Sequence, residues 1–100
     1  MRMEVRAHQQ KVGAALRREI ERRLQFSLSR FSRQICTVKV QLSDLNGPRG
    51  GVDQCCRVDI SLVTGHRLIV EDTQRCLSAA IGRATERVSR AVSRQLSRQH

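Results

Sequence analysis

The chain of 100 residues has no tryptophan and no tyrosine, and its two aromatic residues are Phe26 and Phe31. Any core must therefore be aliphatic, and a dedicated platform for reading unstacked bases is not expected. No apolar run approaches the ~20 residues that a membrane span requires. The opening MRMEVRAH has no hydrophobic stretch of the kind a secretory signal carries, so the expected compartment is the cytosol. Cys36, Cys55, Cys56 and Cys76 have no second pair at CxxC spacing and no nearby histidine pair, which excludes the usual zinc patterns. In a reducing compartment they are expected as thiols. Alternation puts Cys56 and Cys36 with core residues and Cys55 on the opposite face as a surface thiol. His8, His66 and His100 are scattered and no carboxylates form an obvious pair, so no catalytic chemistry, cofactor or metal is expected.

Acidic residues are also scarce. Nineteen Lys and Arg face nine Asp and Glu, a net charge of +10, while a hydrophobic content of 39% excludes a wholly disordered chain. A balance this basic favours a polyanion partner. The length suits one domain over residues 1–100, with no linker and no internal repeat.

The hydrophobic pattern resolves into an order of elements. Residues 2–7 alternate as a short strand, and residues 9–31 follow a helical period with Val12, Leu16, Ile20, Leu24, Ser27, Leu28 and Phe31 on one face. Residues 35–43, 55–63 and 67–71 alternate again as strands. Asp72 or Thr73 then caps a helix over 74–98, its inner side carrying Leu77, Ile81, Ala84, Val88, Val92 and Gln95 or Leu96. The expected fold is α+β, β-α-β-β-β-α: a four-stranded mixed sheet with two helices packed on one face. The helical crossover makes the first two strands parallel, and the tight connections make the later strands antiparallel.

The stretch SDLNGPRGGVDQCC concentrates the only proline, Pro48, with Gly47, Gly50 and Gly51. Its spacing is not that of a phosphate loop and a strand follows it, so it reads as a hairpin turn with Arg49 at its tip.

The charge sits almost wholly in the helical segments. Residues 9–33 hold seven basic residues against Glu19 and Glu21, a net of +5; residues 73–100 hold six against Glu86, again +5; the remainder is neutral. Arg83, Arg87, Arg90, Arg94 and Arg98 fall in a narrow stripe beside the apolar face, ~22 Å long. Lys11, Arg18 and Arg22 lie away from the core on the first helix, with Arg17 and Arg23 at its borders. Because both helices cover one sheet face, the basic surfaces are expected side by side. Arginine outnumbers lysine 17 to 2, which suits bidentate phosphate contacts. With no Trp and only two Phe to insert, a membrane surface is the weaker partner, and structured RNA recognised by shape and backbone the stronger. On the outer sheet face, Asp59 is expected to pair with Arg57 or Lys39.

The element order, ALRREIERRL in the first helix, VKVQLSDLNGPRGGVDQCCRVDISL across the hairpin and LSAAIGRATERVSRAVSRQLSR in the last helix resemble the ribosome hibernation-promoting factor family, the ribosome-associated translation inhibitors, over nearly the whole chain. The resemblance implies a protein that binds the small ribosomal subunit and its rRNA in the channel of messenger and transfer RNA, inhibiting translation in resting cells. It implies rRNA contacts at Arg87, Arg90, Arg94 and Arg98 and at Arg23 of the first helix; Arg83 joins them from the stripe, and Arg18 and Arg22 from the first helix. Cys76, Ser78 and Gly82 depart from the acidic or aromatic residues the family often has there. Ending at His100, the chain resembles the short form, in which ribosome pairing would need a separate dimerising factor. No membrane and no small-molecule substrate is expected. Two other readings stay open: a general double-stranded RNA binder, and a self-associating module using the outer sheet face.

Overall fold

Alternating side chains dominate both ends of the first 44 residues, and the backbone follows them. A computed structural model describes residues 1–8, 12–44 and 53–98. Among these, four strands and two helices appear in the expected order: β1 (Arg2–His8), α1 (Ala14–Leu28), β2 (Ile35–Asp44), β3 (Gln54–Leu62), β4 (Arg67–Gln74) and α2 (Leu77–Arg98). A single 3-10 turn, Ser29–Phe31, closes α1. The strands form one sheet in the order β1-β2-β3-β4, with β1 parallel to β2 and the other neighbours antiparallel. This is the α+β arrangement the hydrophobic pattern predicts.

One face of the sheet and the inner sides of both helices share the core. Val5 of β1, Val38, Val40 and Leu42 of β2, Cys56, Val58, Ile60 and Leu62 of β3 and Val70 of β4 meet Ile20, Leu24 and Leu28 of α1 and Ala80, Ile81, Ala84, Val88 and Val92 of α2. Small residues at Ala80 and Ala84, both 0% exposed, let α2 approach the sheet closely. Among the described residues no buried side-chain polar atom lacks a partner, and no helix is long and apolar enough to cross a membrane.

Four local expectations need correction. First, α1 begins at Ala14, because Gly13 is extended (φ −72°, ψ 167°) and its carbonyl accepts the first helical hydrogen bond, from Arg17 N at 3.1 Å. The expected start at Gln9 lies outside the described residues, as does the turn at 45–52 with Pro48 and Arg49. Second, β4 runs on to Gln74, so neither Asp72 nor Thr73 caps a helix: they pair with Cys56 and Cys55 across the sheet. Third, Cys36 is exposed. The β2–β3 register shifts between Ile35, opposite Leu62, and Thr37, opposite Ser61, so Ile35 takes the inward position and Cys36 is left unopposed on a bulge. Fourth, Cys55 is buried although it points to the outer face, because β3 is a central strand and Ser43 and Thr73 flank it on both sides. The Thr64-Gly65 turn between β3 and β4 forms as expected, with Gly65 at φ 95°, a value that favours glycine.

Candidate nucleic-acid interface

Leu77–Arg98 is amphipathic because its apolar residues recur at helical spacing. Burying that stripe leaves the arginines on one flank. Arg83, Arg87, Arg90, Arg94 and Arg98 are all exposed. Arg83, Arg90, Arg94 and Arg98 make no ion pair among the described residues, although Glu86 stands in their midst. Four guanidiniums with no carboxylate within ion-pair reach repel one another along the helix.

Arg87 differs from the other four. Its Nη1 donates to the backbone carbonyl of Glu71 at 2.5 Å and to Oδ2 of Asp72 at 3.3 Å. The Asp72 side chain is only 9% exposed, and it also accepts from Nε2 of Gln74 at 2.7 Å. The inward parity of Asp72 on β4 explains this: opposite Cys56, it sits at the rim of the core and needs a cation. Arg87 therefore anchors α2 to the edge strand, leaving half of its side chain open to solvent.

On α1, Arg18 is exposed and unpaired among the described residues. Arg22 and Arg23 are exposed too, and both pair with Glu19, Arg23 through its Nε at 3.1 Å. The hydrogen bonds from Arg22 and then Arg23 hold the Glu19 carboxyl below the usual carboxylate range. That cluster thus carries one net positive charge rather than two.

Both basic sets lie on the helical side of the molecule, but they do not touch side by side. Thr85 of α2 lines a groove with Arg22, Arg23, Phe26 and Ser27 of α1, so it marks the seam between the helices. Arg87 lies about 200° around α2 from Thr85, on the flank over β4. The arginines of α2 and α1 form two banks with the seam between them.

Phe26 is the feature that composition hides. It is 85% exposed on α1, about 200° around the helix from buried Leu24, a position visible in the spacing alone. Phe31 packs against the core and carries the Arg30 guanidinium 4.6 Å above its ring centroid. The outer sheet face has a different character. Asp59 pairs with Arg67 of β4 rather than with Arg57 or Lys39, since the β3–β4 register brings Arg67 diagonally onto it, and Arg57 pairs with Glu71 at 3.5 Å. With Arg6–Glu4 on β1, opposite charges are interspersed on that face. Among the described residues no His, Cys, Asp and Glu group is placed to hold a metal ion.

A sheet of order β1-β2-β3-β4, two helices on one face and two arginine banks define a basic α+β protein of β-α-β-β-β-α topology. Over residues 3–100 the sequence matches the family described as sigma 54 modulation protein / S30EA ribosomal protein, and the chain belongs to that family. No curated protein matches it in sequence. Its fold is similar to that of a ribosomal subunit interface protein from Coxiella burnetii, with a TM-score of 0.83 and 10% identity over 97% of this chain and 99% of that one. It is also similar to the N-terminal domain of Thermus thermophilus Protein Y, with a TM-score of 0.77 and 23% identity over 94% of this chain and 98% of that one. At these identities the likeness is one of fold.

Proposed function

We propose that the chain binds the small ribosomal subunit at the ribosomal RNA of the messenger and transfer RNA channel, and by occupying that channel inhibits translation in resting cells. The observation that carries this reading is the set of exposed guanidiniums at Arg83, Arg90, Arg94, Arg98 and Arg18, unpaired among the described residues, in a chain of the S30EA family. One fold relative, named as a ribosomal subunit interface protein, supports it.

In mechanism, phosphates of folded RNA replace the carboxylates that the arginines lack, and counterions are released. Arg22, Arg23 and Arg87 contribute through the donors that their internal partners leave open. The sheet fixes the distance between the two banks, so recognition follows the shape of the RNA backbone. No catalytic step is involved, only occupancy. The outer sheet face, whose charges are largely paired within it, offers a polyanion much less.

Sedimentation with purified small subunits, alongside an in vitro translation assay, tests the reading. Wild-type protein is expected to co-sediment and to lower translation, and Arg90→Glu to lose both. Equal affinity for naked RNA duplexes would replace this reading with general duplex binding. Self-association that survives removal of the arginines, without ribosome binding, would replace it with an interaction module.

A further inference from the structure

A single exposed apolar side chain is ordinary on a protein surface and by itself means nothing. Phe26 is distinguished by its setting. The ring lines a groove of about 360 Å³ between α1 and α2, shared with Arg22, Arg23, Ser27 and Thr85. The groove is shallow and open to solvent, a surface on which a flat group can lie rather than a closed pocket. On the α2 side Thr85 turns its hydroxyl back onto the Ile81 carbonyl at 2.7 Å. Both arginines that line the groove with the ring pair with Glu19, which holds them on this side of α1.

An aromatic face with cations on its border matches the chemistry of a nucleobase attached to its phosphates: the base stacks, and the flanking phosphates meet the guanidiniums. An aliphatic side chain of a protein partner would fill the groove equally well but would have no use for the two arginines. We propose that Phe26 is the stacking platform for one unpaired base of the small-subunit ribosomal RNA. This deepens the ribosome-binding reading and rests on it. It gives a chain with almost no aromatic residues one point of contact that depends on a base rather than on the backbone. It runs counter to the expectation, drawn from composition, that no platform exists.

The test uses full-length protein and small subunits stripped of messenger and transfer RNA, with binding measured for Phe26→Ala, Phe26→Leu, Phe26→Trp and Arg90→Glu. Because Phe26 is outside the core, all three Phe26 variants should melt at the wild-type temperature. Phe26→Ala is expected to weaken binding about 5- to 100-fold without changing its salt dependence, since a phenyl ring releases no counterions. Phe26→Leu should weaken it nearly as much, while Phe26→Trp should hold or tighten it. Binding by Phe26→Ala equal to wild type, while Arg90→Glu fails to bind, would overturn the stacking site and leave the ribosome-binding reading intact. Full affinity in Phe26→Leu would overturn it in favour of an apolar protein contact, and a loss that appears only when messenger RNA is added would overturn the assignment to ribosomal RNA. A wild-type protein that does not bind the subunit removes both proposals together.

Discussion

Replacing Arg87 by alanine should separate the structural role of this arginine from that of its neighbours on the same helix. In the folded chain its Nη1 donates to the Glu71 carbonyl and to Asp72, and the Asp72 carboxylate is almost covered. Hydrogen bonds to charged groups contribute about 1.5–3 kcal/mol. The Arg87 side chain is 51% exposed, so solvent screening reduces the expected loss to about 1–2 kcal/mol. For a domain of this size that corresponds to a melting temperature lowered by about 4–15 °C. Arg90→Ala, which removes no partner, should stay within about 0.5 kcal/mol of wild type. Adding Asp72→Asn to Arg87→Ala should recover part of the loss, because an amide tolerates that rim without a cation. Urea and thermal unfolding followed by circular dichroism supply the numbers. Equal stability of Arg87→Ala and Arg90→Ala would refute the anchoring role and return Arg87 to the unpaired stripe.

Three further outcomes can be checked on the same protein. Leu28→Ala, at a site with 0% exposure between α1 and the sheet, should cost about 2–5 kcal/mol in urea unfolding. Hydrogen bonds from Arg67 hold the Asp59 carboxyl below the ordinary carboxylate range, outweighing the opposing effect of burial. The stabilisation it provides is therefore complete above about pH 4 and lost as pH falls through the lowered native value, so unfolding curves of wild type and Asp59→Asn should differ at pH 7 and converge in acid. Burial pushes the Cys56 thiol up to about 12, and Cys55 is covered, whereas Cys36 and Cys76 are exposed and hydrogen bonding from Ser78 and the helix start lowers the Cys76 thiol. Mass spectrometry after native alkylation near pH 8 should find label on Cys76 first and Cys36 next, with Cys55 and Cys56 labelled only on unfolding.

Period-two and period-3.6 patterns made the topology legible, because each element buries one face and the apolar residues must therefore repeat with the backbone. Val38, Val40 and Leu42 and their partners in β3 illustrate this: alternation alone assigns all of them to the core. The misread positions each break a rule that local pattern cannot see. A bulge adds one residue and inverts the parity before it, which turned Cys36 outward and Ile35 inward. Asp72 and Thr73 have the composition of a helix cap, yet pairing with β3 carried them into β4 instead. The arginine stripe was readable from its spacing, but the tie between Arg87 and Asp72 spans 15 residues and depends on how α2 docks on the sheet edge. Phe26 is the opposite case. Its position away from the core follows from the helical period, whereas an aromatic count of two says nothing about where either ring sits.

The salt dependence of binding to purified small subunits tests the central claim most directly, since that claim is that unpaired helical arginines neutralise RNA phosphates. With five or so phosphates contacted, log K should fall against log salt with a slope of about −3.5 to −4.5. The Arg90→Ala, Arg94→Ala double variant should flatten that slope by about 1.4 to 1.8. A slope near zero, or one that the double variant leaves unchanged, would contradict the account.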